Sequence, residues 1–212
     1  MQTVNFLFRW GHLLFGITWI GLLYYFNFIQ GGYFKQATPE GLTDAKAKLA
    51  PSALWWFRWG AMFTFLTGLV LLLLLHQGNL FNGFIVVGAT LGTLMFLNVW
   101  LIIWPNQKIA LGMIEGDGAA AGAKALLVSR TNTLFSAPLA YCMLGSAHMG
   151  YGADYLLSAA GANAGLWIAL VIVAALELNG IVGKQGPMTT VRGVIISSLV
   201  LTAVLAGALQ LA

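Results

Sequence analysis

Charge is what this sequence most lacks. Only 8% of its 212 residues are Asp, Glu, Lys or Arg and 59% are hydrophobic, whereas a soluble domain carries about 25% charged residues. A surface so poor in charge excludes a soluble enzyme, a disordered chain and a nucleic-acid module. Cysteine is nearly absent too. The single Cys142 excludes an intrachain disulfide, a CxxC redox pair, a multi-cysteine zinc site and a covalent c-type haem attachment. The basic residues form no patch, so the net charge of +4 marks topology, not phosphate binding, and no nucleic-acid partner is expected. No internal repeat is visible, which argues against a secondary transporter.

Long apolar runs are what the chain has instead. A membrane-spanning helix needs about 20 mostly apolar residues, and six stretches qualify: residues 6–29, 53–76, 83–104, 133–149, 164–183 and 193–211. The first has too long an apolar core for a signal peptide and no small-residue cleavage site, so it reads as a retained helix. The fourth is the weakest, being short and interrupted by Pro138. The reading is an all-α polytopic membrane helix bundle, one domain over residues 1–212, with six transmembrane helices. Loop one (30–52) carries Lys35, Lys46 and Lys48; loop three (105–132) carries Lys108, Lys124 and Arg130; loop five carries Lys184 and Arg192. Arg58 lies near the same side, and loops two and four have no Lys or Arg. The positive-inside rule puts the odd loops in the cytoplasm and both termini outside, in the periplasm of a Gram-negative host. Apolar residues on either side of the flexible tract 116–123 predict a short amphipathic helix on the inner surface within loop three. Trp55, Trp56, Trp59 and Trp104 fit an inner aromatic belt, and Trp10 and Trp167 an outer one. Membrane lipids are the expected surroundings.

All three histidines fall towards the outer face. His12 lies about 9 Å into the first helix, and His76 and His148 end the second and fourth. Imidazole is a common metal ligand and a usual axial ligand of haem iron. Histidines at helix ends are equally often plain interfacial residues, whereas His12, inside the hydrocarbon zone, is a functional candidate by default. His12, His76 and His148 are therefore the candidate cofactor and metal ligands. Gly16, Trp19, Gly68 and Gly145 lie near them at helical spacing, and small residues with aromatics suit a flat macrocycle as well as ordinary helix packing. Arg9, one turn before His12, suits a propionate, an anionic substrate or lipid headgroups. Glu177 is an intramembrane acid with Arg58 its expected partner, read as a helix-locking pair or a proton path. Asn98 and Asn179 are expected to hydrogen-bond across helices. Gly88 and Gly92 form a close-packing pair.

Three stretches are distinctive as strings: RWGHLLFGITWIGLLYYFNFIQ (9–30), WWFRWGAMFTFLTG (55–68) and NVWLIIWPNQK (98–108). They resemble the membrane domain of PuuD-type urate hydroxylases, the urate oxidase N-terminal membrane family. The resemblance implies a bacterial inner-membrane redox protein. In full-length members a c-type cytochrome domain follows the helices and takes electrons from urate oxidation; this chain contains no CxxCH. Its first helix is also similar to that of HemJ-type protoporphyrinogen oxidases, where a histidine near the helix start binds haem b, which points to His12. The resemblance identifies no catalytic base. The leading expectation is a redox protein with haem b or another metal near the periplasmic face, passing electrons to a separate c-type cytochrome or quinone. The alternative is a non-catalytic accessory subunit of a larger membrane complex, in contact with other membrane subunits. Copper, held by the histidines with Met143 and Met149, is the other cofactor reading.

Overall fold

Runs of Leu, Val, Ile and Phe leave backbone groups in a bilayer no partner outside their own helix. The computed structural model describes residues 2–148 and 163–210, and these residues are all-helical. Six continuous helices are α1 (Gln2–Gln36), α2 (Pro39–Gln77), α3 (Gly83–Ala110), α4 (Gly118–His148), α5 (Ala164–Val182) and α6 (Val191–Gln210). Met149 and Leu211, the expected ends of the fourth and sixth stretches, lie outside the described residues. Five of the helices, α1, α2, α3, α5 and α6, are long and apolar enough to cross a membrane, which makes this a multi-pass membrane protein.

Two features differ from the sequence reading. Loop one is mostly helix. α1 runs on for 35 residues, about 52 Å and well beyond an apolar layer of about 30 Å. The chain reverses at Ala37 and Thr38, and Thr38 Oγ1 caps α2 by accepting from the Gly41 amide at 3.2 Å. Pro39 occupies the first turn of α2, where its missing N–H costs nothing. The second difference is larger. No amphipathic helix lies on the surface in loop three. The tract 118–132 is the first half of α4, continuous with the fourth apolar stretch. The reversal that precedes it is short and uses Gly112 and Gly116 at positive φ. Of the tract 116–123, expected to be flexible, residues 118–123 are helical.

The reason lies in what surrounds α4. It carries Ser129, Arg130, Thr131, Asn132, Thr133 and Ser136, all buried. These depress its hydropathy, yet they face other helices, not lipid. α3, α5 and α6 pack around α4 to form a four-helix unit, while α1 and α2 pack chiefly on each other. Pro138 sits inside α4 without ending it. Close approach is set by small residues. Gly88 and Gly92 of α3 face Cys142 and Leu139 of α4, as their spacing suggests. A Cβ on Gly180 of α5 would stand 2.6 Å from Thr131 Oγ1. Gly180→Ala is therefore expected to lower thermal stability in detergent by about 1–3 kcal/mol. Gly207→Ala on α6, which meets no atom within 4 Å, is the control and is expected to leave the melting temperature unchanged or slightly raised.

Candidate functional site

Polar side chains gather in two places. The first is the middle of the four-helix unit. Asn98 opens a π-helical segment of α3, Asn98–Ile103, a local widening that often accompanies functional positions. Its Nδ2 donates to Asn132 Oδ1 at 2.9 Å and to Glu177 Oε2 at 3.1 Å. Asn132 Nδ2 in turn donates to the Met95 carbonyl at 3.0 Å. Asn98 thus ties α3 to α4 and α5, the cross-helix role expected of it. Asn179 does not share that role, since its Nδ2 donates at 3.1 Å to the Lys184 carbonyl just beyond its own helix.

The expected Arg58–Glu177 pair is not formed. Arg58 sits on α2, which belongs to the hairpin, and Glu177 on α5, deep in the four-helix unit. The Arg58 guanidinium lies over the Trp104 ring, with Cζ 3.4 Å from its centroid, a favourable cation–π placement. Among the described residues the ion pair found is Lys48–Asp44, on the exposed hairpin tip.

The second gathering is the seam between α1 and α4. Asn27 lies in another π-helical segment, Tyr25–Gln30. Its Nδ2 donates to Ser129 Oγ at 2.8 Å and to the Leu23 carbonyl at 2.9 Å. One turn away, Tyr24 Oη and Ser136 Oγ are 2.9 Å apart. Among the described residues, the buried side-chain atoms with no hydrogen-bond partner include Asn27 Oδ1, Gln30 Oε1, and Arg130 Nε and Nη1. Arg130 is only 8% exposed. Sequence reasoning missed this group. It placed Arg130 in a cytoplasmic loop and did not single out Asn27 or Gln30.

Among the described residues the three histidines form no common cluster. His12 is half-buried and its Nδ1 is 3.1 Å from Thr67 Oγ1 on α2. Thr67 Oγ1 already approaches the Phe63 carbonyl at 2.6 Å and the Thr64 carbonyl at 3.0 Å. Its one hydrogen is committed there, so its oxygen accepts from Nδ1–H. That assigns the tautomer from the network, and no described residue bonds Nε2. Gly68 admits the ring, since a Cβ there would stand 3.1 Å from His12 Cε1. A groove of about 330 Å³ between α2 and α3 opens at Leu72, one turn beyond Gly68. His76 is exposed, with its ring 6.0 Å from Phe81. It lies eight residues past Gly68 on α2, about 12 Å along the axis. His148, the last residue of α4, is exposed. Arg9 is exposed, and its Nε donates to Asn5 Oδ1 at 2.6 Å. Among the described residues no three His, Cys, Asp or Glu side chains gather as a metal site.

The buried cluster gives a direct test of what holds α3, α4 and α5 together. Glu177→Gln keeps an acceptor for Asn98 and is expected to retain the wild-type melting temperature. Glu177→Ala removes it and is expected to destabilise by about 1–3 kcal/mol, read by thermal unfolding in detergent.

No curated protein and no solved structure matches the chain. The family described as urate oxidase N-terminal matches residues 76–181, half of the chain. The match spans α3, α4 and nearly all of α5, and so includes Asn98, Arg130, Asn132 and Glu177; two of the three stretches that carried the resemblance, 9–30 and 55–68, lie outside it. The chain belongs to the urate oxidase N-terminal family.

Proposed function

We propose that this chain is a redox module of the bacterial inner membrane, of the urate-hydroxylase membrane-domain type. In this reading it holds haem b near the periplasmic face and passes electrons to a separate c-type cytochrome or a quinone. α4 is the sixth span, and both termini face the periplasm. Family membership supports the urate-hydroxylase relation. The observation that carries the haem reading is the state of His12. Its Nδ1–H is held by Thr67, no described residue bonds its Nε2, and Gly68 lets the ring pack closely against α2. A metal-binding imidazole needs this arrangement, in which the outer nitrogen is anchored and the inner one is free. The donor chemistry therefore fits haem iron, with His12 as the one ligand this chain supplies.

When bound, the haem would supply a one-electron redox centre. The protein's own part is to orient His12 between α1 and α2 through Thr67 and to surround that region with apolar helix. His76 and His148 are exposed and take no part in this assignment.

The test is an absorption spectrum of the purified protein, oxidised and then reduced with dithionite. A Soret band with sharp reduced α and β bands is expected. His12→Ala is expected to abolish them. Thr67→Val, which removes the acceptor for Nδ1–H, is expected to weaken haem retention about 10- to 100-fold. A featureless visible spectrum from pure protein overturns the haem reading and favours an accessory role.

A further inference from the structure

We infer that Arg58 of α2, with Trp104 and Lys108 of α3, forms a binding site for the headgroup of an anionic phospholipid. Position comes first. α2 and α3 run antiparallel, since Trp59 meets Trp100 while Phe65 meets Phe96. Trp104 closes the third apolar stretch and Arg58 lies five residues into the second. Both therefore stand where the two helices leave the apolar layer. Trp59 and Trp100 pack edge to face there, with ring centroids 6.0 Å apart. One turn further along α3, the Arg58 guanidinium lies on the Trp104 ring, its Cζ 3.4 Å from the centroid.

A second cation shares that ring. Lys108, one turn beyond Trp104, brings its Nζ to 5.6 Å from the same centroid. Laid end to end, these distances put the two positive centres no more than about 9 Å apart, close enough to repel at physiological salt. Among the described residues neither cation has an ion pair. Asp117 caps α4 through the amides of Ala119 and Ala120, Glu115 is exposed in the preceding turn, and Glu177 is engaged by Asn98. Arg58 is half-buried, and its Nη1 is closed to solvent with no hydrogen-bond partner among the described residues. Stacking uses only the face of the guanidinium. Its N–H groups lie in the plane and are left to meet acceptors at the edge. Two cations held on one indole without a counter-charge call for an anion.

The surroundings select which anion. Trp55 and Trp56, within three residues of Arg58, are 48% and 58% exposed, and Leu101, three residues before Trp104, is 67% exposed. A site bordered by open apolar surface suits a molecule charged at one end and apolar beyond it. A phospholipid lays its acyl chains on that border and brings its phosphate to the cations. Arg pairs side by side with two phosphate oxygens, and Lys adds a point charge. Basic residues between the ends of membrane helices hold anionic headgroups in this way. A soluble anion would gain nothing from the apolar border.

The inference goes beyond the proposed function and does not rest on it, since Arg58, Trp104 and Lys108 make no contact with His12 or Thr67 in the haem reading.

The experiment is native mass spectrometry of the full chain in neutral detergent, titrated with phosphatidylglycerol or with phosphatidylcholine of the same acyl chains. Phosphatidylcholine carries the same phosphate beside a compensating cation. The phosphatidylglycerol series is repeated with inorganic phosphate in molar excess. Phosphatidylglycerol is expected to bind the wild type at least about tenfold tighter than phosphatidylcholine, and phosphate is expected not to displace it. Arg58→Gln is expected to lose at least about tenfold in phosphatidylglycerol affinity, and Lys108→Gln about fivefold. Lys46→Gln, which removes an exposed charge from the hairpin tip, is expected to stay within about twofold of wild type. Equal affinity for the two lipids overturns the proposal, as does Arg58→Gln within about twofold of wild type. A loss in Lys46→Gln as large as that in Arg58→Gln assigns the effect to overall charge and overturns it. Displacement of the lipid by inorganic phosphate makes this a site for a soluble anion and overturns it too. Should Arg58→Gln fail to fold, wild-type affinity in Lys108→Gln is the overturning result.

Discussion

The burial of α4's polar side chains is the constraint on which the rest depends. A buried amide or hydroxyl has no water to turn to and must find its partner in protein. α4 presents Ser129 to α1, Thr131 to α5 and Asn132 to α3, and Ser198 of α6 donates to the Leu134 carbonyl at 2.8 Å. Each neighbour is therefore recognised by a particular polar group, and α4 becomes the helix that the others surround. Helix association in a membrane gains nothing from the hydrophobic effect, so close packing and cross-helix hydrogen bonds carry it. The fold uses both, with Gly88, Gly92 and Gly180 bringing backbones close and the asparagines fixing register.

From that arrangement follows a division of the molecule. The four-helix unit is closed on itself through Asn98, Asn132 and Glu177. The α1–α2 hairpin is closed by its own contacts, among them Gly60 against the Trp19 backbone, Phe15 against Phe63 and His12 against Thr67. His12 and Arg130 belong to different parts of this scheme. His12 lies inside the hairpin, where a neighbouring helix fixes its tautomer. Arg130 follows Ser129, where α4 meets the hairpin through Asn27, and its Nε and Nη1 have no partner among the described residues. Exposed apolar residues such as Phe6, Leu13, Val171 and Leu199 cover the outside of both parts, as a lipid-facing surface requires.

The class and much of the helix layout were legible in the sequence, because long apolar runs and scarce charge admit few alternatives. The glycine pair in α3 was legible for the same reason, since its spacing alone puts both residues on one face. The extent of α4 was not. Hydropathy measures exposure to lipid, and a helix shielded by its neighbours reads as a loop when it carries Ser129 to Thr133. Arg130 was misplaced by that error. The Arg58–Glu177 pairing failed differently. Charge complementarity and depth were considered, but not which helices pack together, and Arg58 settled on Trp104 instead. The histidines were expected near one face, and helical rise along α2 separates His76 from the turn that His12 packs on.

The central claim is that α4 is one continuous, enclosed helix from Gly118 to His148. Hydrogen–deuterium exchange of the protein in nanodiscs, followed through peptides covering 118–148, tests it most directly. The account expects 127–142 to be among the slowest-exchanging backbone in the molecule, with no break in protection near residue 132. Rapid exchange over 118–132, with protection beginning only at residue 133, would restore the long surface loop and contradict the account.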